Sequence, residues 1–401
     1  MEGDFIKINK WLLPLSWLYG LAVGIRNALF EMGILKSRAF DVPVISVGNI
    51  TVGGTGKTPH VEYLIRLLQD RWQVAVLSRG YKRKTRGFLV ADDSTTARDI
   101  GDEPFQMKKK YPKATIAVDK KRVHGIETLT ARDKKLDVVL LDDAFQHRYV
   151  KPGINILLVD YHRLIIYDKL LPAGRMREPL TGKNRADIVI VTKCPKELKP
   201  MEFRVITKAM DLFPYQHLFF TTLEYGELSP VFKSRKDQKV TQDQNEKNNL
   251  QNLEDLKNQN CLLLSGIGSP RQLIEDLTPV VKHLEPLTFA DHHNFRAKDV
   301  ERINITFDAL PSPKCIVTTE KDAARIVTIK GFSDEVKQNI YTLPVHIKFM
   351  LEQEEKFNEN IIGYVRKNSR NSILVKRKND HQSEDSHHSG NRSRTISFRD
   401  N

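Results

Sequence analysis

Apolar positions along the chain switch repeatedly between two periods. Residues 42–47 form a β-branched apolar run of strand length, and residues 59–68 carry apolar side chains at helical spacing. Further strand-length runs fall at 73–78, 115–118, 138–141, 154–159 and 188–192, with helical patterns between them, as at 103–110 and 121–130. That alternation over residues 42–223 predicts an α/β fold, a mostly parallel sheet with helices on both faces. A second α/β unit starts with a strand at 261–265, turns at Gly266-Ile267-Gly268 and enters a helix over about 271–280. Strands near 286–289, 315–318 and 340–344 continue it. The stretch 232–260 has almost no apolar residues and reads as a solvated insertion or boundary. The pattern thus divides the chain into an N-terminal segment (1–40), a core (41–231), the insertion (232–260), a second lobe (261–375) and a polar tail (376–401) expected to be disordered, with His387 and His388 solvated.

Residues 11–25 are apolar apart from Ser16, and Arg26 and Asn27 break the run. It falls short of the roughly 20 apolar residues of a secure membrane span. Its two tryptophans and tyrosine, with Lys7 and Lys10 on the flank, suit a membrane interface, and no small-residue cleavage site follows. The expectation is a helix lying on the cytoplasmic leaflet; a helix packed on the protein's own core is the alternative.

Charge adds to this picture. The formal net charge is +14, which favours phosphates, anionic lipid or nucleic acid. The sequence has no recognisable nucleic-acid module and no solenoid repeat, so nucleic acid is not expected as a partner. The cluster Lys82, Arg83, Lys84 and Arg86 suits an anionic surface, or a solvated loop. Three separated cysteines without a CxxC pair imply a reduced protein with neither disulfide framework nor zinc knuckle.

The candidate chemistry begins where the first strand meets the first helix of the core. Thr51, Val52, Gly53, Gly54, Thr55, Gly56, Lys57 and Thr58 form a glycine-rich turn between a strand and a helix start, with Pro59 in the first turn. Such a loop turns backbone N–H groups onto phosphates, places Lys57 near the β- and γ-phosphates and offers the Thr58 hydroxyl to Mg2+. It departs from the strict P-loop pattern in having Thr51 at the first glycine position. The apolar run 136–141 ends in Asp142 and Asp143, where a P-loop enzyme keeps the carboxylate that serves magnesium. Gln146, His147 and Arg148 follow directly. Asp102 in Gly101-Asp102-Glu103-Pro104 suits a helix N-cap. Arg177 and Glu178 lie in a Pro/Gly-framed loop open to either phosphate or metal contact or plain solvation, and His292 or His293 could orient or deprotonate a hydroxyl.

Taken in order, residues 48–59, 78–81, 101–104, 141–147, 172–179, 266–268, 289–292 and 319–322 resemble the tetraacyldisaccharide 4'-kinase family of lipid A synthesis. The likeness spans roughly residues 10–350, and the family's P-loop shares the Thr51 deviation. The resemblance implies ATP and Mg2+ as cofactors, an acylated glucosamine disaccharide 1-phosphate as acceptor and lipid IVA as product. It implies a monomer held peripherally at the cytoplasmic face of the inner membrane of a Gram-negative bacterium. On the family's pattern Asp102 accepts the sugar hydroxyl proton, paired with His292. Asp142, Asp143 and Glu178 serve magnesium and the transferring phosphoryl, and Arg122, Gln146, His147 and Arg177 line the phosphate or lipid side. The competing function is a P-loop ATPase or GTPase switch or assembly factor at the membrane, which needs neither the apolar N-terminus nor Asp102.

Overall fold

The computed structural model describes residues 6, 8–232, 250–268, 270–291, 293–327 and 329–385, with side chains described as far as Ser369. Helix α1 (Leu13–Glu31) leads into the glycine-rich loop through strand β1 (Val44–Gly48). Then follow α2 (Lys57–Leu68), β2 (Val74–Ser78), β3 (Leu89–Val90), α3 (Ala97–Ile100), α4 (Asp102–Lys110), β4 (Thr115–Val118), α5 (Arg122–Arg132) and β5 (Val138–Asp142). Strands β6 (Ile154–Asp160) and β7 (Ile188–Thr192), helix α6 (Pro200–Met210) and strand β8 (His217–Tyr225) complete this run. The second lobe comprises β9 (Ser229–Pro230), β10 (Asn260–Ser265), α7 (Arg271–Leu277), β11 (His283–Thr288), α8 (Ala297–Asp308), β12 (Lys314–Thr319), α9 (Glu320–Ile326), α10 (Asp334–Asn339) and β13 (Ile340–Leu343). Strand β14 (Val345–Phe349) and helix α11 (Glu354–Asp385) end the described chain.

Among the described residues nine strands form the larger sheet in the order β14-β8-β7-β6-β1-β5-β2-β4-β3, and five form the smaller, β11-β10-β12-β13-β9. The P-loop strand β1 is central and parallel to both neighbours, with Val47 paired to Asp142 of β5. All five β1 residues are buried, because helices cover both faces of the sheet and leave no side solvated. The strand ends of β1 and β5 therefore open side by side at the carboxyl edge, where such sheets bind ligands.

The chain returns to the first lobe. Strand β14 runs antiparallel to β8, from Val345 opposite Tyr225 to Phe349 opposite Thr221. The second lobe, expected over 261–375, is thus an insertion between β8 and β14. Helix α11 buries Phe357, Ile361 and Val365, one turn apart, in the first lobe's core. Tyr63, Phe219, Phe349 and Phe357 pack there with ring centroids 4.6–6.0 Å apart, each burial stabilising by about 1.5–3 kcal/mol. The helix also runs on past Lys376 to Asp385, so the tail begins later than its composition suggested. His387 and His388 lie outside the described residues.

The polar boundary differs from expectation at its end as well. Residues 233–249 are outside the described residues, but a 3-10 turn at Leu253–Asn258 buries Leu256 completely in the second lobe. All three cysteines are free and buried.

Candidate active site

Gly56 occupies the left-handed region (φ 79°) immediately before α2, so the loop closes onto the helix without Cβ strain. His60, one turn in, holds that loop from behind. Its Nδ1 donates to the Gly56 carbonyl at 2.7 Å and its Nε2 accepts from Thr221 Oγ1 at 3.1 Å. Complete burial pushes the His60 pKa down to about 4, so the ring is neutral at pH 7. Lys193, at the end of β7, grips the loop from another side, donating to the Gly54 carbonyl and to Asp160 Oδ2 at 2.9 Å.

This loop floors a cavity of about 520 Å³ between the lobes. Val52, Gly53, Gly54, Thr55, Gly56, Lys57 and Thr58 all line it, and Asp142, Asp143 and Arg177 face the same space. So do Arg79, Glu103 and Lys193 from the first lobe, and Gly268, Gln272 and Lys321 from the second. Leu223, Tyr225, Leu273 and Val345 make a more apolar part of the wall.

The charges in this cavity are unequal in kind. Asp142 is wholly buried; its Oδ2 accepts from Ser78 Oγ at 2.9 Å, while Oδ1 has no hydrogen-bond partner among the described residues. Burial first, then the carboxylates of Glu103 and Asp143, raise its pKa to about 7. Asp143 behaves oppositely. Burial pushes it up, but Lys57 at 3.6 Å, Arg177 at 4.0 Å and Arg122 outweigh that and hold its carboxyl below the usual value. A carboxylate pair pulled apart in this way marks a place built for a cation or a proton.

Arg177 is braced on three sides. Its Nε donates to Thr51 O at 3.0 Å, Nη1 to Gln146 Oε1 at 3.1 Å and Nη2 to Asn49 Oδ1 at 3.1 Å. Thr51 itself is buried beside the loop, bridged to Met176, and Val52 N donates to Arg175 O at 2.8 Å. Gln146 therefore orients Arg177, and its own Nε2 reaches Asn49 O at 2.9 Å. His147 is held neutral, its pKa pushed down to about 4 by burial and then by Arg122, Arg79 and Arg26.

Helix α1 docks onto this same wall. Ser16 Oγ donates to Leu170 O and accepts from Ala173 N, both at 3.0 Å, Tyr19 OH donates to Arg177 O at 2.8 Å, and Arg26 Nη2 donates to Gln146 O at 3.3 Å. Phe30, the last apolar residue of that stripe, packs edge-on against Tyr149 at 5.0 Å. The other face of α1 is exposed at Leu15, Trp17, Leu18, Leu21 and Ile25, and Trp11 is exposed in the turn before it.

The family described as Tetraacyldisaccharide-1-P 4'-kinase matches residues 8–366. The chain belongs to this family. It is 57% identical over 376 residues to the tetraacyldisaccharide 4'-kinase of Phocaeicola vulgatus, covering 93% of this chain and 99% of that one. The enzyme of the same name from Bacteroides thetaiotaomicron is 53% identical, over 96% of this chain and all of its own length. Among solved structures the chain is similar to LpxK from Aquifex aeolicus in complex with ATP, at TM-score 0.63 and 31% identity over 88% of this chain and 98% of that one.

Several residues expected from the family's pattern stand elsewhere than the cavity wall. Arg122 is 1% exposed; its Nη1 donates to Asp119 O and its Nη2 to Asp142 O at 3.0 Å, so it braces the Asp142 backbone from behind. Burial lowers its pKa to about 10. Glu178 is equally buried and bound to Arg185 Nη2 at 2.7 Å, with its Oε1 lacking a hydrogen-bond partner among the described residues. Asp102 begins α4 rather than capping it, since Gly101 (φ 94°) is the cap, and it is gripped by Arg325 of the second lobe. His292 lies outside the described residues, and neighbouring His293 contacts Asp299 at 2.9 Å. Lys193, Tyr225 and Gln272 also line the cavity without having been expected there; their position at or just beyond a strand end, or at a helix start, is the signal the sequence carries.

Proposed function

We infer that the chain transfers the γ-phosphate of ATP to the 4'-hydroxyl of a tetraacylated glucosamine disaccharide 1-phosphate, forming lipid IVA. Family membership over residues 8–366 supplies the reaction. The observation that carries it into this molecule is the docking of an apolar helix on the wall of a P-loop cavity, through Tyr19 to the Arg177 carbonyl. An amphiphilic acceptor requires that combination, and a soluble switch does not. ATP fits because the loop presents backbone N–H groups at the α2 N-terminus, where anions are stabilised.

Phosphoryl transfer through a loose transition state needs mainly positioning and charge. Lys57 and Arg177 hold positive charge toward the γ-phosphoryl, with Gln146 and Asn49 keeping the Arg177 fork in place. Magnesium fits the residues present: Thr58, Asp142 and Asp143 share the cavity, and Asp142 Oδ1 is a buried carboxylate oxygen without a partner among the described residues. Held by these residues, the ion would supply neutralisation of the charge on the phosphate oxygens. Asp102, with His292, takes the proton of the attacking hydroxyl. Arg122 supports Asp142 through its backbone carbonyl, and Glu178, held by Arg185, is a further carboxylate for the magnesium set.

Membrane attachment is peripheral in this reading, at the cytoplasmic face of the inner membrane, with a monomer as the working unit. Helix α1 with its short lead-in turn, Lys10–Glu31, is long and apolar enough to cross a bilayer, its most apolar stretch reaching a mean hydropathy of 1.2. One stripe of it, from Ser16 to Phe30, is nevertheless committed to protein along its length. That leaves the opposite stripe to lie in the headgroup region. At about 1.5 kcal/mol apiece, replacing Trp17, Leu18 and Leu21 by Asn weakens binding to anionic vesicles by roughly 10³-fold, read by co-sedimentation. Unchanged sedimentation overturns the attachment through α1.

The function itself is tested by incubating the purified protein in detergent with Mg2+, γ-labelled ATP and tetraacylated disaccharide 1-phosphate. Label appears in the lipid. ATP hydrolysis without lipid labelling points instead to a nucleotide switch.

A further inference from the structure

Asp102 stands at the start of α4 in the first lobe, and the group that grips it comes from the other lobe. Arg325 on α9 directs Nε at 2.8 Å and Nη2 at 2.5 Å to the same oxygen, Asp102 Oδ2. Its third donor, Nη1, reaches Asp322 Oδ1 at 3.2 Å. Asp322 is completely buried and itself fixed, its Oδ2 accepting from Gly266 N at 2.9 Å and from Thr319 Oγ1 at 2.7 Å. Gly266 opens the turn whose Gly268 lines the nucleotide cavity. A continuous set of charge-assisted contacts therefore runs from that turn through Asp322 and Arg325 to Asp102.

We propose that Arg325 is the positioning residue for Asp102, a cation supplied by the second lobe that sets the carboxylate of the first lobe for removal of the acceptor's proton. This rests on the reading of Asp102 as the base. The geometry distinguishes it from a simple tether between lobes. Helices α4 and α9 are already joined by Lys110 to Glu320 at 2.8 Å and by Lys321 to Glu103 at 3.1 Å. The Arg325 side chain is 9% exposed, so solvent screens its contact far less than a surface pair. Two N–H groups converging on one oxygen hold that oxygen in place from two directions, which a single-point lysine contact does less tightly. A base misplaced by about 1 Å costs on the order of 10²-fold in rate.

The test compares Arg325→Gln, Arg325→Lys, Asp102→Asn and the double variant Asp102→Asn/Arg325→Gln, all full length, in the lipid-labelling assay. The expected results are a fall in kcat of roughly 10- to 100-fold for Arg325→Gln, with KM for ATP within about threefold because Arg325 does not touch the nucleotide cavity. Arg325→Lys, which keeps the charge and loses the fork, falls between the two. On the Asp102→Asn background the Gln substitution costs less than about threefold more. Thermal melting of each variant identifies any that fails to fold, in which case the Lys variant carries the comparison. Unchanged turnover by Arg325→Gln leaves Arg325 no positioning role and faster turnover makes the pair a brake; either overturns the proposal. So does an undiminished loss on the Asp102→Asn background, which leaves Arg325 only a structural role. Full activity of Asp102→Asn removes the base assignment and this proposal with it, while lipid labelling by the unsubstituted protein keeps the kinase reading standing. Absence of that labelling is the separate failure of the function itself.

Discussion

Lys57→Ala lowers lipid phosphorylation by at least about 10³-fold while leaving the fold intact. Loss of one preorganised donor at a developing charge costs about 10²–10³, and here the loss is compounded. Lys57 Nζ lies 3.6 Å from Asp143 and is the foremost cation holding that carboxyl below its usual range. Without it Asp143 keeps Arg177, 4.0 Å away, and a triphosphate meets a carboxylate that is less well neutralised. Stability changes little, because the lysine is a loop-edge residue facing the cavity rather than a packed one. Single-turnover transfer from γ-labelled ATP, with a melting curve beside it, checks both statements. Activity within fivefold of the unsubstituted protein would show that Arg177 alone carries the phosphate, and the P-loop assignment would then need revision.

The parts of this site that can be read directly in the sequence are those built from one continuous segment. The run into Gly53, Gly54, Gly56 and Lys57 signals strand, turn and helix locally, and β1 and α2 stand where those signals put them. Asp142 and Asp143 end a strand, and strand pairing alone carries them beside the loop. Side-chain direction is less visible. Arg122 and Glu178 are charged residues at loop-helix junctions, and the same pattern serves a cavity-facing group or one turned inward onto Asp119 or Arg185. Long-range returns are hidden altogether. Residues 345–349 could extend the second lobe as readily as rejoin the first, and only pairing with β8 decides. Helix α11 escaped notice because its apolar stripe is just Phe357, Ile361 and Val365 among many polar residues. Strand β11 begins earlier than its apolar run, since it is an edge strand that tolerates Glu285 and Pro286. The Arg325–Asp102 contact joins residues 223 apart in sequence, so no local pattern could announce it.

Asp142→Asn trades activity for stability, and pH separates the two effects. In the unfolded chain an aspartate titrates near 3.9, whereas burial, Glu103 and Asp143 raise Asp142 to about 7 in the folded protein. The folded state therefore binds more protons between those values. The stability that this protonated carboxyl contributes is fully present below about pH 4 and is lost as pH rises through 7. At pH 8 the metal-free protein holds a buried ionised carboxylate whose Oδ1 has no hydrogen-bond partner among the described residues. Asparagine removes that charge and still accepts from Ser78 Oγ, 2.9 Å away in the native protein. The variant accordingly melts a few degrees higher at pH 8 without magnesium, and the difference shrinks at pH 5 and on adding Mg2+, which would stabilise the native folded form more than the variant's. Turnover moves the other way, by roughly 10³-fold, because a cation held by Thr58, Asp142 and Asp143 would lose one of its carboxylates. A variant that melts no higher than the native protein at pH 8 would mean that Asp142 is already neutralised by proton or neighbour, and its place in the metal set would pass to Asp143.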